Sequence, residues 1–217
     1  MRNPFLPTFE DLPSTLPIFP LKGALVMPGA QLPLNIFEPR YLNMVQDALA
    51  THHLIGMVQP DERSEAPAHS VHVTGGAGRI TYFNETSDGR IEIILTGVCR
   101  FDITRELASI RGYRLAEPDW RRFHADYELP AYGDLPERRR FMDALDDYLL
   151  SKELEIDTTA IQRMPFPLLV NVLCTLLPLH HHDKQAIIEA VDFSDRYRLL
   201  SHTIGMTETN VPRHLRH

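Results

Sequence analysis

A long alternation of apolar and polar residues, which begins at Ile91, constrains the fold of this chain more than any other feature. From Ile91 to Ile103 the odd positions are almost all apolar, whereas four of the six even positions are polar. A period of two predicts a β-strand with one buried face. At ~3.3 Å per residue it would span on the order of 40 Å. We therefore expect the strand to coil, with Gly97 as its bend or bulge.

Turn signals on both sides of this strand predict its partners. Asp88-Gly89 precedes it, and both residue types accept the positive φ that a tight hairpin turn requires. Residues 79–85 should therefore pair with the strand in a hairpin. Residues 112–117 have the pattern of a returning strand on its other end. The expected product is a coiled, mainly antiparallel sheet or a partly open barrel.

Helical patterns accompany and then follow the predicted sheet. Glu38-Pro39 should start a helix over residues 39–51, because proline suits the first helical position. After about residue 130 the apolar spacing becomes helical, and the run 166–177 is apolar nearly all round, as in a buried helix of a bundle. The predicted fold class is α+β, with a β-domain that contains one helix over residues 1–130 and a C-terminal helical bundle over 131–217.

Composition excludes several classes of function. The net charge is −7 and the chain has only three lysines, far apart in sequence, so no nucleic-acid partner is expected. No window approaches the ~18 apolar residues of a membrane span, so no membrane partner is expected either. The two cysteines, Cys99 and Cys174, do not suggest a disulfide framework. A cytoplasmic location is the resulting expectation.

Motifs for catalysis and cofactors are missing or misplaced. None of the lysines lies in a P-loop sequence. The glycines of 75–78 lead into a strand, which indicates a tight turn rather than a dinucleotide site. Ser151-Lys152 are adjacent on a helix end, where their side chains point about 100° apart and cannot form a dyad. We expect a non-enzymatic protein without a cofactor.

The run His180-His181-His182-Asp183 is the one cluster with the chemistry of metal ligands. Ligands on a helix converge at spacings of three or four residues, as in metalloprotease motifs. Only His180 and Asp183 have that spacing, and consecutive residues of a helix diverge. The sequence therefore predicts a loop that enters a helix and no metal centre.

Apolar residues expected on the surface are the remaining functional signal. Leu25 and Met27 lie between a glycine and a proline, where loop or edge positions are favoured. Tyr82 and Phe83 are adjacent in a predicted strand, so they point to opposite faces and at least one should be outside. Exposed apolar patches mark partner sites. These four residues are the predicted polypeptide-binding contacts.

The stretch LPIFPLKGALVMPGAQLPLNIFEPRY, residues 16–41, resembles the opening of the N-terminal domain of Lon-type ATP-dependent proteases. Further likeness lies at residues 78–80, 88–89, 97–101 and 184–189, so that the resemblance covers roughly residues 14–205. The residues of the first block that match, and that we interpret as framework, are Pro20, Leu21, Pro28, Pro33, Leu34, Phe37, Glu38, Arg40 and Tyr41. Within it, Glu38 and Arg40 are available to pair with each other.

The resemblance implies a PUA-like β-domain followed by a helical bundle, in a free-standing protein without the ATPase and protease domains of the family. It also implies recognition without hydrolysis, in an adaptor or regulator of proteolysis. The expected partners are unfolded or extended polypeptide segments, a protease or a chaperone, and a second copy in a weak homo-oligomer.

Two alternatives to polypeptide binding stay open. The first is a small-ligand pocket at the junction of sheet and bundle, which a cavity of several hundred Å³ with convergent polar groups would favour. The second is hydrolase activity, for which no nucleophile has an evident base in the sequence.

Overall fold

The computed structural model describes residues 5–63, 70–108, 111–127, 136–154, 161 and 163–205. These residues form a six-stranded sheet, five α-helices and a 3₁₀ helix. The strands are β1 (Leu16–Pro20), β2 (Gln31–Ile36), β3 (Leu54–Val58), β4 (Thr74–Glu85), β5 (Ile91–Leu107) and β6 (Arg114–Asp119). The helices are α1 (Pro39–Leu49), the 3₁₀ helix (Arg121–Tyr127), α2 (Pro136–Ser151), α3 (Phe166–Leu176), α4 (His181–Glu189) and α5 (Phe193–Gly205).

The long strand β5 organises the whole sheet. Its second half pairs with the start of β4 on one side and with β6 on the other. Because β6 also pairs with β1, β1 with β3, and β3 with β4, these five strands close into a ring. Among the strands of the described residues, only β1 and β3 are parallel neighbours. The predicted α+β fold with a coiled, mainly antiparallel sheet is confirmed, and the barrel is more fully closed than expected.

The first half of β5 leaves the ring as part of a three-stranded arm. Residues Ile91–Thr96 pair with β2 on one side and with residues 80–85 of β4 on the other. The turn between β4 and β5 contains Gly89 with a φ of +83°, as the Asp-Gly signal predicted. The register with β4 shifts beside Gly97, because Ala77 pairs with Cys99 and Gly78 with Gly97, so the expected bulge is confirmed.

Two glycines let the segment between β1 and β2 cross the sheet at very short range. A Cβ atom on Gly76 would lie 2.0 Å from the carbonyl oxygen of Val26, and one on Gly97 would lie 2.0 Å from that of Met27. Gly97 also exchanges backbone hydrogen bonds with Gly29 and Ala30, at 2.9 and 2.8 Å. The glycine run 75–78 therefore lies inside β4, and its interpretation as a tight turn was wrong.

The helices add two layers of packing to the barrel. Helix α1, close to its predicted range, buries Tyr41, Met44, Val45 and Ala48 against the sheet. The C-terminal helices share a second apolar cluster with the crossing segment, because Leu25, Met27 and Ala30 are packed among residues of α2, α3, α4 and α5. The segment that joins β1 to β2 thus shares an apolar core with the helical part.

A buried arginine on β5 joins the barrel to the helices. The side chain of Arg100 is 1% exposed and donates to both carboxylate oxygens of Asp126, at 3.0 and 2.7 Å. Its remaining N–H groups donate to the backbone carbonyls of Ile188 in the last turn of α4 and of Ala190 and Val191 just after it. The guanidinium therefore connects three elements at once.

The domain boundary predicted near residue 130 lies outside the described residues. Within the described ranges, none of the helices has the length and apolar content required to traverse a bilayer.

Candidate functional site

The structure separates the four predicted contacts into two buried and two exposed residues. Leu25 and Met27 are 1% and 0% exposed, so the expected surface position of both was wrong. The backbone N–H of Met27 donates to the hydroxyl of Thr175 in α3, which holds the segment against the bundle. A surface loop was expected from the flanking glycine and proline, but the crossing over Gly76 and Gly97 turns both side chains inward.

Tyr82 and Phe83 lie on the outer half of β4, in the arm that projects from the barrel. They are 47% and 39% exposed, and the whole stretch from Thr81 to Glu85 is exposed. Successive side chains of a strand point to opposite faces, so the two rings stand on the two faces of the arm. Exposure of apolar groups at this place agrees with the sequence prediction.

The outer edge of this part of β4 is not covered by another strand among the residues described. Strand β3 pairs with residues 76–79 only, and the backbone N–H of Ile80 still donates to the carbonyl of His53. Beyond Ile80, β4 pairs with β5 alone. At the opposite margin of the arm, β2 is contacted by α3 and contains Pro33, which cannot donate to a further strand. The edge of β4 is therefore the better place for an added strand.

The residues of the motif that resembles the Lon opening differ in burial. Tyr41 is buried and its ring centroid lies 4.1 Å from that of Phe19, as a framework residue requires. Glu38 and Arg40 pair with each other at 2.7 Å, as expected. Phe37, also interpreted as framework, is 63% exposed and so does not help to fill the core. It follows the last residue of β2, where the chain turns outward into α1.

A cleft of about 690 Å³ lies at the junction of the sheet and the helices. It is half open to solvent, and most of its polar groups are cationic or imidazole side chains. Its lining residues are Lys22, Gly23, Tyr148, Lys152, Pro178, Leu179, His180, His181, Asp183 and Thr203. Its volume is in the usual range for small-ligand sites. This is the position that the small-ligand alternative specified.

One edge of the cleft brings three imidazoles together. His180, His181 and His182 each offer a ring nitrogen, and these nitrogens lie within 4.8 Å of one another. The expected divergence was wrong, because His180 is the N-cap of α4 with an extended backbone and not a helical residue. Desolvation, and after it the charge of Lys22, lowers the pKa of His181. The sequence shows three adjacent histidines, but it does not reveal that His180 is an N-cap residue with an extended backbone.

The other groups considered for catalysis are held in structural contacts. The hydroxyl of Ser151 donates to the carbonyl of Tyr148 at 2.7 Å, one turn earlier in the same helix. Both cysteines are buried, and burial raises the pKa of the Cys99 thiol and raises that of Cys174 to about 12. A thiol kept protonated in this way is a poor nucleophile.

Comparison with known proteins places this fold among the Lon N-terminal domains. A crystal structure of a Lon N-terminal domain protein from Xanthomonas campestris superposes with a TM-score of 0.58 at 24% identity and covers 91% of this chain and 99% of its own. The N-terminal domain of the Mycobacterium avium complex Lon protease gives a TM-score of 0.62 at 16% identity, with 88% and 97% covered.

Sequence relatives show the same relationship. Lon protease 2 of Myxococcus xanthus is 25% identical over 207 residues, which are 92% of this chain and 24% of that protein. The Lon protease of Flavobacterium johnsoniae is 34% identical over 109 residues, which are 49% and 13%. The chain thus spans a quarter or less of the length of these relatives. Since residues 15–204 match the substrate-binding domain of the ATP-dependent protease La (LON), the chain belongs to that family.

Proposed function

We propose that this protein is a non-catalytic recognition module that binds extended apolar segments of polypeptides along the outer edge of β4. The observation that carries the proposal is the combination of an uncovered strand edge with two exposed aromatic rings, Tyr82 and Phe83. In the cell it would act in the cytoplasm as an adaptor or regulator of proteolysis, with a protease or chaperone as its partner. Membership of a substrate-binding family supports this assignment.

Strand addition explains how such a surface can accept many sequences. Backbone hydrogen bonds between the bound segment and β4 supply affinity without regard to side chains. The two rings supply preference, because they flank the added strand on opposite faces of the arm and favour apolar side chains there. A folded protein has few unpaired strands to offer, so the site selects unfolded clients.

The charges around the arm define the client further. Glu85 lies two residues after Phe83, and Glu92 lies opposite Asn84 on the neighbouring strand β5. Both carboxylate residues are exposed, and the chain as a whole is acidic. A charged surface speeds association with partners of opposite charge and disfavours partners of the same charge. We therefore expect apolar client segments flanked by lysine or arginine to bind better than those flanked by acidic residues.

A binding experiment with a matched control tests the proposal. A fluorescently labelled, reduced and alkylated protein serves as a permanently unfolded client, and its anisotropy is followed on titration. The double variant Tyr82→Ser/Phe83→Ser should weaken binding at least about tenfold, because each lost aromatic contact is worth about 1 kcal/mol. The control Leu150→Ser removes an exposed apolar side chain from α2, 77% exposed, and should leave the affinity unchanged.

Two results would count against strand addition at β4. One is equal affinity for the unfolded client and for its native form. The other is equal loss of binding in the double variant and in the Leu150→Ser control, which would make the effect a general loss of apolar surface.

The cleft supports a second candidate, the binding of a small ligand at the sheet–helix junction. Its volume of about 690 Å³ and its convergent polar groups favour this function. The substitution Thr203→Trp would fill the cleft from α5. If the cleft is the functional site, ligands found by thermal-shift screening should bind the native protein and lose binding in Thr203→Trp, whereas the Tyr82→Ser/Phe83→Ser variant should bind them normally.

A further inference from the structure

The cluster of three histidines at the start of α4 has the composition of a transition-metal site. Imidazole nitrogens suit zinc, copper and nickel, and a zinc ion is held by three or four such ligands with bonds of about 2.0–2.1 Å. The ring nitrogens of His180, His181 and His182 already lie within 4.8 Å of one another. His180 and His182 are exposed, so small rotations of their side chains bring the nitrogens to bonding distance.

A carboxylate from another part of the chain completes the set. The Oε2 atom of Glu62 lies 3.3 Å from the Nε2 atom of His181. Zinc–ligand bonds of about 2.0–2.1 Å in tetrahedral geometry place two ligand atoms about 3.3 Å apart. Glu62 belongs to the loop that follows β3, far from the histidines in sequence. We propose that Glu62 and the three histidines form a zinc-binding site.

The ring nitrogen of His181 supports a ligand role over an ordinary hydrogen bond. Its Nε2 atom is buried, and its contact with the Glu62 carboxylate at 3.3 Å lacks the alignment of a full hydrogen bond. Buried polar atoms nearly always have a partner, so one without a partner calls for an explanation. The Nδ1 atom of His180 accepts from the backbone N–H of His182, which leaves its Nε2 atom for a metal.

Lys22 is the group that zinc must displace. Its ammonium pairs with the Oε1 atom of Glu62 at 2.5 Å, and a cation at that distance opposes a second cation on the same carboxylate. The Lys22 side chain is 53% exposed, so it can move into solvent when the ion binds. Removal of Lys22 should therefore strengthen zinc binding, a gain that damage to the fold would not produce.

Isothermal titration of the untagged full chain with zinc chloride tests the site. One ion should bind per chain at the cluster, and His181→Ala should weaken its binding more than tenfold. Glu62→Gln should weaken it about tenfold, the lower range for groups that orient or complete a metal site. Lys22→Ala should tighten it. The control His202→Ala removes an exposed histidine of α5 and should change nothing.

Cobalt substitution provides a readout of geometry that does not depend on affinity. Cobalt(II) in a four-coordinate site absorbs strongly in the visible region, whereas an octahedral ion held by one or two histidines absorbs weakly. A strong visible band that is lost in His181→Ala supports the proposal. A weak band, or zinc affinity that is equal in His181→Ala and His202→Ala, overturns it.

Discussion

At the scale of single residues, Arg100 forms a buried ion pair that the alternating pattern of β5 does not predict. Its even-numbered position in β5 lies on the more polar face of the alternating pattern. The structure buries it because Asp126 and three backbone carbonyls at the end of α4 satisfy the guanidinium, whose central carbon lies 4.4 Å from the centroid of the Phe123 ring. Sequence periodicity cannot detect such a site, since the partners come from distant segments.

The substitution Asp126→Asn should destabilise the protein by about 3–5 kcal/mol, because it leaves the Arg100 charge buried and unpaired. Urea unfolding gives the free energy directly. The control Glu117→Gln breaks an ion pair with Arg105 whose side chains are 41% and 70% exposed, and should cost at most about 1 kcal/mol. Similar losses in both variants would contradict the assigned role of the buried pair.

Lys184 should make stability depend on alkaline pH. Burial lowers its pKa in the folded state from the ordinary value of 10.5, while its ammonium donates to the carbonyl of Thr175. Between the lowered and the ordinary pKa the unfolded chain binds more protons, so the free energy of unfolding gains a positive contribution as pH rises through that window.

The variant Lys184→Met removes the titrating group and isolates this contribution. The stability difference between the native protein and Lys184→Met, measured by urea unfolding from about pH 7 to about pH 10, should shift with rising pH in favour of the native protein. A difference that stays constant with pH, or shifts the other way, would refute the assignment to Lys184.

At the scale of elements, the predictions that depend on neighbouring residues were confirmed, whereas the predicted surface position of the segment around Leu25 and Met27 was wrong. The Asp88-Gly89 turn, the alternation in β5 and the Glu38-Pro39 start of α1 each depend on neighbouring residues, and each was confirmed. The position of Leu25 and Met27 depends instead on glycines 50 to 70 residues away, so their flanking sequence could not reveal it. The expected divergence of the three histidines was wrong because the backbone of the N-cap residue His180 is extended and not helical.

The crossing of two chain segments at Gly97 predicts a steep cost for any side chain there. In Gly97→Ala the Cβ atom would lie 2.0 Å from the oxygen and 2.6 Å from the carbon of the Met27 carbonyl, both rigid backbone atoms. We expect a loss of about 3 kcal/mol or more in the free energy of unfolding, the upper range for overpacking. Chemical denaturation measures it.

Gly205→Ala provides the matched control for this substitution. Gly205 ends α5, and within the described part of the chain no atom of another segment lies within 4 Å of its Cβ position. The change should be within about 1 kcal/mol and in the stabilising direction, because alanine favours helix. Equal effects at the two glycines would mean that the crossing is looser than the structure indicates.

At the scale of the whole molecule, the C-terminal helices share an apolar core with the segment that crosses the sheet between β1 and β2. Met27 belongs to the same apolar cluster as the helices, and Asn171 in α3 donates to the carbonyl of Pro28 at 3.0 Å. Gln59 and Gln185 are hydrogen-bonded across the same junction at 3.0 Å. The sequence indicated two kinds of periodicity, and hence two domains, but periodicity carries no information about how tightly such parts pack.

We expect the protein to unfold in a single cooperative transition despite its two kinds of secondary structure. Trp120, the only tryptophan, is packed beside Phe101 in the barrel and reports on it by fluorescence. Far-ultraviolet circular dichroism reports mainly on the helices. The two urea transitions should coincide, as two-state unfolding requires. Two separated midpoints would support independent domains and would contradict the role of the shared core.

The continuity of β5 has a mechanical consequence. A single uninterrupted strand carries the outermost hairpin at one end and the Arg100 anchor further along, with no linker between them. Tension applied to a chain bound at the hairpin would pass along β5, through the bulge at Gly97, to Arg100, whose side chain connects the strand to the helical part. If the proposed function holds, a pulling force on a bound client would act on the whole molecule, and the client would detach from the edge of β4 before the molecule unfolds.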